Sequence, residues 1–307
     1  MSRRALVIGY GSIGQRHARV LEWLGLEVAI VSRRGIGEGR TVYGDLPAEH
    51  LHNFDYVVVA NETARHADSL AGLAQMNFRG GVLVEKPLFA ARRGLPQYRF
   101  AKAGVGYNLR FHPVVNALRQ AIAGRAVQMA HLYVGQWLGD WRRGRDAKAT
   151  YSGSRIQGGG VLRDLSHELD LATWLFGDWK RVAALGGRLG SVTVDSDDGW
   201  AILLECERCP VVAIHLSYFD RPARRTMTVQ ADGTTFRADL VANVLDTNGK
   251  VETFAVEPDA TYRHMHHDML ADADSVCTLE EGCRIVAMVE AVEQAVSQRS
   301  WINAAAA

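Results

Sequence analysis

The sequence predicts an α/β chain in two parts: a doubly wound parallel sheet first, then a region rich in antiparallel strands. Three observations carry this. Short β-branched apolar runs alternate with helical segments through Asn108, the rhythm of βαβ units. A glycine-rich run, Gly9-Tyr10-Gly11-Ser12-Ile13-Gly14, sits between the first strand and the first helix. Beyond Gly158-Gly159-Gly160 the strands follow one another closely, with turn pairs such as Asp232-Gly233 and Asn248-Gly249 between some of them.

In order, Leu6–Gly9, Val28–Val31, Tyr56–Ala60 and Val82–Glu85 read as buried parallel strands. Helices are expected over Ser12–Leu24 and Thr63–Met76, and a last strand over Val105–Asn108. Pro113 suits the first position of a helix running to Gly124. The stretch Leu88–Gly104 is short and carries Pro96, which interrupts a helix. The second part has a helix after the triple glycine, then strands over Val182–Gly186, Trp200–Cys206, Val211–Tyr218, Thr226–Ala231, Thr234–Ala238 and Val251–Val256. Helices over Tyr262–Val276 and Glu280–Gln298 close the chain. The expected domains are 1–112 and 113–307, with the closing helix able to pack back on the first.

Composition excludes several classes. Thirty-five Lys+Arg against 34 Asp+Glu leave a net charge of +1, so nothing demands nucleic acid or an anionic membrane. No apolar run approaches the roughly 20 residues that span a bilayer. Arg3-Arg4 lead into a strand, not a signal-like core, and four cysteines suit reduced thiols, so a cytoplasmic location is expected.

The glycine run has a mechanism in this context. Gly9 permits the strand-to-helix turn, Gly11 leaves room for a pyrophosphate, and Gly14 lets helix and strand pack closely. The N–H groups near Ser12 and Ile13 open the helix, where an anion is favoured. A dinucleotide cofactor is therefore expected. Ser32-Arg33-Arg34 follow the second strand where an NAD site usually has a carboxylate for the ribose 2′-OH. A hydroxyl and two guanidiniums would hold a 2′-phosphate, which favours NADP over NAD; a solvated basic loop is the other reading. Asn61 and His66, past the third strand, and Glu85 and Lys86, past the fourth, stand on the edge where such cofactors lie.

Removing a hydride from an alcohol also frees a proton, which a side chain must take. Lys86 sits at the carboxyl end of a parallel strand, with Pro87 fixing the backbone behind it. Asp164 and His167 are three apart on an expected helix, hence on one side of it. An imidazole suits proton transfer, and a nearby carboxylate orients it.

Four ordered motifs, Gly9-Tyr10-Gly11-Ser12-Ile13-Gly14-Gln15-Arg16-His17, Glu85-Lys86-Pro87, Tyr107-Asn108-Leu109-Arg110-Phe111-His112-Pro113 and Gly158-Gly159-Gly160-Val161-Leu162-Arg163-Asp164, together resemble the glucose–fructose oxidoreductase / inositol dehydrogenase (Gfo/Idh/MocA) family over nearly the whole chain. The resemblance implies an N-terminal Rossmann domain, a C-terminal α/β domain with a large open sheet, and NAD(P)-dependent redox chemistry on a sugar-like hydroxyl or carbonyl. It implies Lys86, Asp164 and His167 as the catalytic set, with Asn108, Arg110 and Tyr151 as further substrate contacts. It also implies a homodimer or homotetramer paired through the open sheet. This chain departs from the family by spacing its Asp and His by three instead of four, which rotates the ring by about 100° of helix turn. A hydride-abstracting glycoside hydrolase on the same fold and a sensor without turnover remain alternative readings.

Other features carry less. His167-Glu168 is no zinc-protease motif, because Leu171 stands where the second histidine belongs. Cys206 and Cys209 fall at an expected hairpin turn without a second pair at zinc spacing, so no metal is expected. His264, His266 and His267 read as a helix face or cleft rim. The run Trp137–Asp146, aromatic and arginine-rich, suits a sugar bearing a phosphate or carboxylate, or is plain surface.

Overall fold

A computed structural model of the chain describes residues 3–33, 39–140, 159–190, 194–271 and 273–304. Arg34, Tyr151, Gly158 and most of the Trp137–Asp146 run lie outside the described residues. In chain order the regular elements open with β1 (Arg4–Ile8), α1 (Ser12–Trp23), β2 (Glu27–Val31), β3 (Val42–Tyr43), β4 (Tyr56–Val59), α2 (His66–Gln75), β5 (Gly81–Val84) and β6 (Lys102–Val105). There follow α3 (Pro113–Ile122), β7 (Val127–Gly135), α4 (Val161–Asp164), α5 (His167–Phe176), β8 (Trp179–Gly187), β9 (Gly199–Cys206) and β10 (Cys209–Ser217). The remainder are β11 (Arg224–Ala231), β12 (Thr234–Asp239), β13 (Val244–Thr247), β14 (Lys250–Thr253), α6 (Ala260–Leu270), α7 (Leu279–Gln298) and β15 (Ile302–Asn303).

The chain divides into two compact units: Met1–Phe111 with Pro258–Val286, and His112–Glu257 with Ala287–Ala307. In the first, six parallel strands lie in the order β3-β2-β1-β4-β5-β6. That is the doubly wound order with its switch point between β1 and β4, where the strand ends open toward a ligand. Ala5, Leu6, Val7, Tyr56, Val57, Val58 and Val59 are fully buried, as expected for strands covered on both faces. Met265, Met269 and Val276 complete this core from the returning segment.

In the second unit nine strands run in the order β14-β13-β12-β11-β7-β10-β9-β8-β15. All pairings are antiparallel except β7 with β10. Strand β7, which pattern reading did not pick out, lies near the middle. Its burial alternates imperfectly: Ala130, Leu132 and Val134 are buried, while Gln128, Met129 and His131 are exposed. On the other face of the sheet, Met129, Leu185 and Leu203 stand 47, 77 and 48% exposed. Cys206 opposes Cys209 at the β9–β10 hairpin, and all four cysteines are free thiols.

Several boundaries differ from sequence expectation. The helix expected over Thr63–Met76 is a 3-10 turn, Thr63–Arg65, followed by α2. The strand expected at Val105–Asn108 ends at Val105, because Asn108–Phe111 coil into a 3-10 turn. Leu88–Gly104 forms no helix. Asp164 and His167 do not share one helix: α4 stops at Asp164, and Leu165 and Ser166 separate it from α5.

Candidate active site

The first unit gathers the cofactor candidates at the carboxyl edge of its sheet. Gly9 has φ +98°, and a Cβ there would stand 2.6 Å from the Asn61 backbone; a Cβ on Gly14 would run into the Gly9 carbonyl. Nothing lies within 4 Å of the corresponding point on Gly11. Gly9 and Gly14 are therefore glycines so that turn and helix can close, and Gly11 so that something else can approach. The Gly9 N–H bonds the Val31 carbonyl at 3.0 Å, tying the turn to the end of β2. Gly11 caps α1 without a side chain, and the first turn holds no acidic residue. The N–H groups at Ser12 and Ile13 thus favour an anion.

At the end of β2, Ser32 N–H bonds the Tyr43 carbonyl, and Arg33 reaches Asp45 at 3.1 Å with both side chains largely exposed. Nearby, Arg40 holds Glu22 through two contacts, 2.6 and 2.8 Å, and the Tyr10 hydroxyl at 2.7 Å. Past β4, Asn61 donates from Nδ2 to Ser69 Oγ at 2.9 Å, while its buried Oδ1 has no described partner. His66 is 1% exposed; its ring lies against the carbonyls of Asn61 at 3.1 Å and of Pro87 and Leu88 at 3.2 Å. It staples the loops after β4 and β5 together. Burial lowers its pKa against the opposing pull of those carbonyls and Glu85.

Glu85 and Lys86 follow β5. The Glu85 carboxylate is 6% exposed; Oε1 lies 2.8 Å from His17 Nε2, and Oε2 accepts the Lys86 backbone N–H at 3.1 Å. Burial pushes that carboxyl up, but the hydrogen bond and charge of His17, with Lys86 behind them, bring it below its ordinary value. Asn108 donates to Thr261 Oγ1 at 2.7 Å. Arg110, 3% exposed, meets Glu281 at 2.9 Å. Glu281 also takes the Thr278 N–H, and Thr278 Oγ1 takes the Glu281 N–H, a capping box at the start of α7.

The remaining candidates lie in the second unit. Asp164, 8% exposed, accepts the buried Tyr218 hydroxyl at 2.7 Å. His167 opens α5 at 9% exposure. Its neighbour Glu168 is 2% exposed and takes a two-point contact from Arg225, 2.8 and 3.3 Å. Asp197 receives the Leu162 N–H at 2.8 Å and the Trp200 indole N–H at 2.7 Å, which pins the start of α4. Burial raises its pKa despite those donors. Among the described residues no group of three or more His, Cys, Asp or Glu could hold a metal ion, and no helix is long and apolar enough to cross a membrane.

Sequence reasoning missed three participants. Tyr218 was read only as a strand end. His17 stood inside the first motif without a role. His266 was placed on a helix face or cleft rim, but it is fully buried, between Tyr56 Oη at 2.9 Å and His17 at 2.8 Å; only His264 and His267 are exposed. A histidine at a core-facing position of α6, next to Met265 and Met269, was the available signal.

Residues 115–237 match the family model described as the GFO/IDH/MocA C-terminal domain, which bears out the resemblance drawn from the four motifs. Among solved structures, the chain is similar to levoglucosan dehydrogenase in complex with NADH, with a TM-score of 0.80, 14% identity and 100% of both chains covered. It is similar to GenD2 from gentamicin A biosynthesis in complex with NAD, at 0.78 and 21%, covering 100% of this chain and 97% of that one. It is also similar to the WlbA dehydrogenase from Bordetella pertussis in complex with NADH and UDP-GlcNAcA, at 0.77 and 18%, with 100% of both chains covered. At these identities the likeness is one of fold. No curated protein sequence matches the chain.

Proposed function

We propose that this chain, which carries a GFO/IDH/MocA C-terminal domain at residues 115–237, is an NAD(P)-dependent oxidoreductase acting on a hydroxyl or carbonyl of a sugar or sugar derivative. The observation that carries the reading is Lys86 at the carboxyl end of β5, on the same strand edge as the open space over Gly11. The chain fits a dinucleotide in two further ways: the uncapped start of α1, and the buried Asn61 Oδ1, an acceptor without a described partner. When bound, a nicotinamide supplies the acceptor or donor of hydride.

The chain's own residues handle the proton. Oxidation of a carbinol releases one hydride and one proton, and Lys86 Nζ receives the proton from the reacting hydroxyl. His167 is the second proton-carrying group, with Asp164 as its orienting carboxylate. The Tyr218 hydroxyl holds one oxygen of Asp164. Asn108, Arg110 and Tyr151 are the further substrate contacts in this reading, and Ser32, Arg33 and Arg34 the contacts to the adenosine ribose.

The finer choices rest on charge and on the neighbours. The run Ser32-Arg33-Arg34 has no carboxylate to repel a 2′-phosphate, which favours NADP. Arg33 is engaged by Asp45, but an exposed pair is worth little and yields to a phosphate of higher charge. The neighbours above were solved with NAD or NADH, so both cofactors belong in the test. The aromatic, arginine-rich run Trp137–Asp146 suits an activated or acidic sugar, so that class belongs in the test beside free sugars. The exposed Met129, Leu185 and Leu203 favour a second copy of the chain on the open face of the nine-stranded sheet, in a cytoplasmic dimer or tetramer.

The test is a screen of levoglucosan, L-sorbose, UDP-GlcNAcA and a panel of free sugars, with NAD and NADP, read at the absorbance of the reduced cofactor. Net reduction supports the oxidoreductase. Sugar release without net reduction would identify a hydrolase, and cofactor binding without turnover a sensor. Light scattering on the same sample reads the assembly; a mass near 33.8 kDa would overturn the dimer.

A further inference from the structure

Four side chains beneath Lys86 form a buried chain. Tyr56 Oη lies 2.9 Å from His266 Nδ1, His266 Nε2 lies 2.8 Å from His17 Nδ1, and His17 Nε2 lies 2.8 Å from Glu85 Oε1. Tyr56, His17 and His266 are fully buried and Glu85 nearly so. They come from four separate places in the sequence: the start of β4, the residue after β5, the second turn of α1, and α6.

With Glu85 ionised, the contacts admit two proton arrangements. In one, His17 carries a proton on Nε2 alone: Tyr56 donates to His266, His266 to His17, and His17 to Glu85. Every contact is satisfied, yet the Glu85 charge has no counter-charge within the chain. In the other, His17 carries both protons and donates to Glu85 and to His266 Nε2, and His266 donates from Nδ1 to Tyr56. The chain is then neutral overall. In both arrangements His17 donates from Nε2 to Glu85, beside the charge of Lys86 that also faces this carboxylate. The carboxyl of Glu85 is pushed up by burial and brought below its ordinary value by the His17 donor and charge together with Lys86, in keeping with that donation.

A separate observation shows that the fold is shaped around this carboxylate. A Cβ on Gly106, in the loop after β6, would stand 2.9 Å from Glu85 Oε1 and 3.1 Å from its Cδ. Position 106 is glycine for space, because its φ lies outside the left-handed region. The other groups facing His17 are the Tyr262 ring, edge-on at 5.5 Å, with Arg16 and its partner Asp259 beyond that ring. Glu85 is also faced by Lys86, His66 and Tyr262.

We propose that His17, backed by His266, is a positioning residue for Lys86: it holds the Glu85 carboxylate by one oxygen, leaves the other on the Lys86 backbone N–H, and offsets the carboxylate's charge beside the Lys86 ammonium. The inference rests on Lys86 being the proton carrier of the proposed oxidation. A lysine flanked by an uncompensated carboxylate keeps its proton more tightly, so His17 makes Lys86 a readier base.

The test needs no substrate. The lysines are Lys86, Lys102, Lys148, Lys180 and Lys250, few enough for each to be resolved after reductive ¹³C-methylation of the full chain and assigned by Lys→Arg variants. In His17→Gln the midpoint of the Lys86 signal should rise by about one pH unit, the other lysines staying put. NADH affinity, read by protein fluorescence, should stay within about threefold, since no cofactor contact is removed. A Lys86 midpoint within about 0.3 units of the parent would overturn the proposal. Should His17→Gln not fold, His266→Leu replaces it: it removes the ring nitrogen that accepts from His17, and the same rise is expected or the proposal falls. The proton-carrier reading is judged separately. If Lys86→Ala retains full turnover, that reading fails whatever the titration shows.

Discussion

Glu85 in the first unit and Asp164 in the second are both buried carboxylates near a proposed proton carrier, but they are held differently. Glu85 has an imidazole on one oxygen and the Lys86 N–H on the other, with His266 and Tyr56 behind the imidazole. Asp164 accepts a neutral phenol and stands at the last residue of a four-residue helix. The first arrangement joins four segments distant in sequence; the second depends on the break between α4 and α5. A carboxylate tied to a titratable ring is coupled to the protonation of that ring, whereas a phenol at ordinary pH stays a neutral donor that only substitution removes. The two groups should therefore fail in different ways.

The largest effects test whether both halves belong to one reaction. Lys86→Ala and His167→Ala should each lower turnover by about 10²–10⁴ while leaving cofactor affinity nearly unchanged, measured by steady-state rates and calorimetry. If only Lys86→Ala shows the drop, the second unit holds no proton carrier at His167, and the α4–α5 break is structural. Next in size is cofactor choice. Replacing Arg33 and Arg34 by Ala should weaken NADP relative to NAD by tenfold or more, at about 1.5–3 kcal/mol per charge-assisted contact. Equal losses for both cofactors would remove these arginines from the site.

Tyr218→Phe should then cost about tenfold in kcat/KM, the worth of one hydrogen bond to a buried carboxylate. It leaves His17 and Glu85 untouched, so the Lys86 midpoint should stay where it is, unlike in His17→Gln, and a moved midpoint would erase the contrast drawn above.

The smallest effect is on acid stability. The His266 ring has its pKa well below 6.5, through burial and then the charge of His17. An unfolded histidine binds a proton near 6.5, so the unfolded state takes up more protons below that value. Stability present above it is lost as pH falls. Glu85, also depressed, adds its loss below its ordinary value of 4.5. The thermal midpoint should drop by a few degrees between pH 7 and 5, at about 2–4 °C per kcal/mol. In His266→Gln this portion should flatten; an unchanged slope would mean that other groups carry the loss.

The parallel sheet was legible because its signals are local: a glycine run between strand and helix, and uninterrupted apolar strands. Lys86 was readable as a strand-end lysine for the same reason. Strand β7 was missed because its alternation breaks where Gln128 and Met129 are both exposed, and its parallel pairing with β10 is a long-range fact. The α4–α5 break was missed because Leu165 and Ser166 carry no breaker signal. The ring chain is invisible to pattern reading, since a buried histidine and an exposed one look alike until packing decides.

The first unit also has an order of assembly written into it. Met265, Met269 and Val276 complete the hydrophobic core that begins with Ala5 and Val7, and His266 completes the chain that begins at His17. A nascent chain emerging from the ribosome amino end first would therefore present the parallel sheet with one wall missing until Pro258–Val286 had been made. Domains commonly fold in the order in which they are synthesised. Here the parallel-sheet unit is completed only by Pro258–Val286, after His112–Glu257 has been made, so that intervening stretch has the opportunity to fold before it.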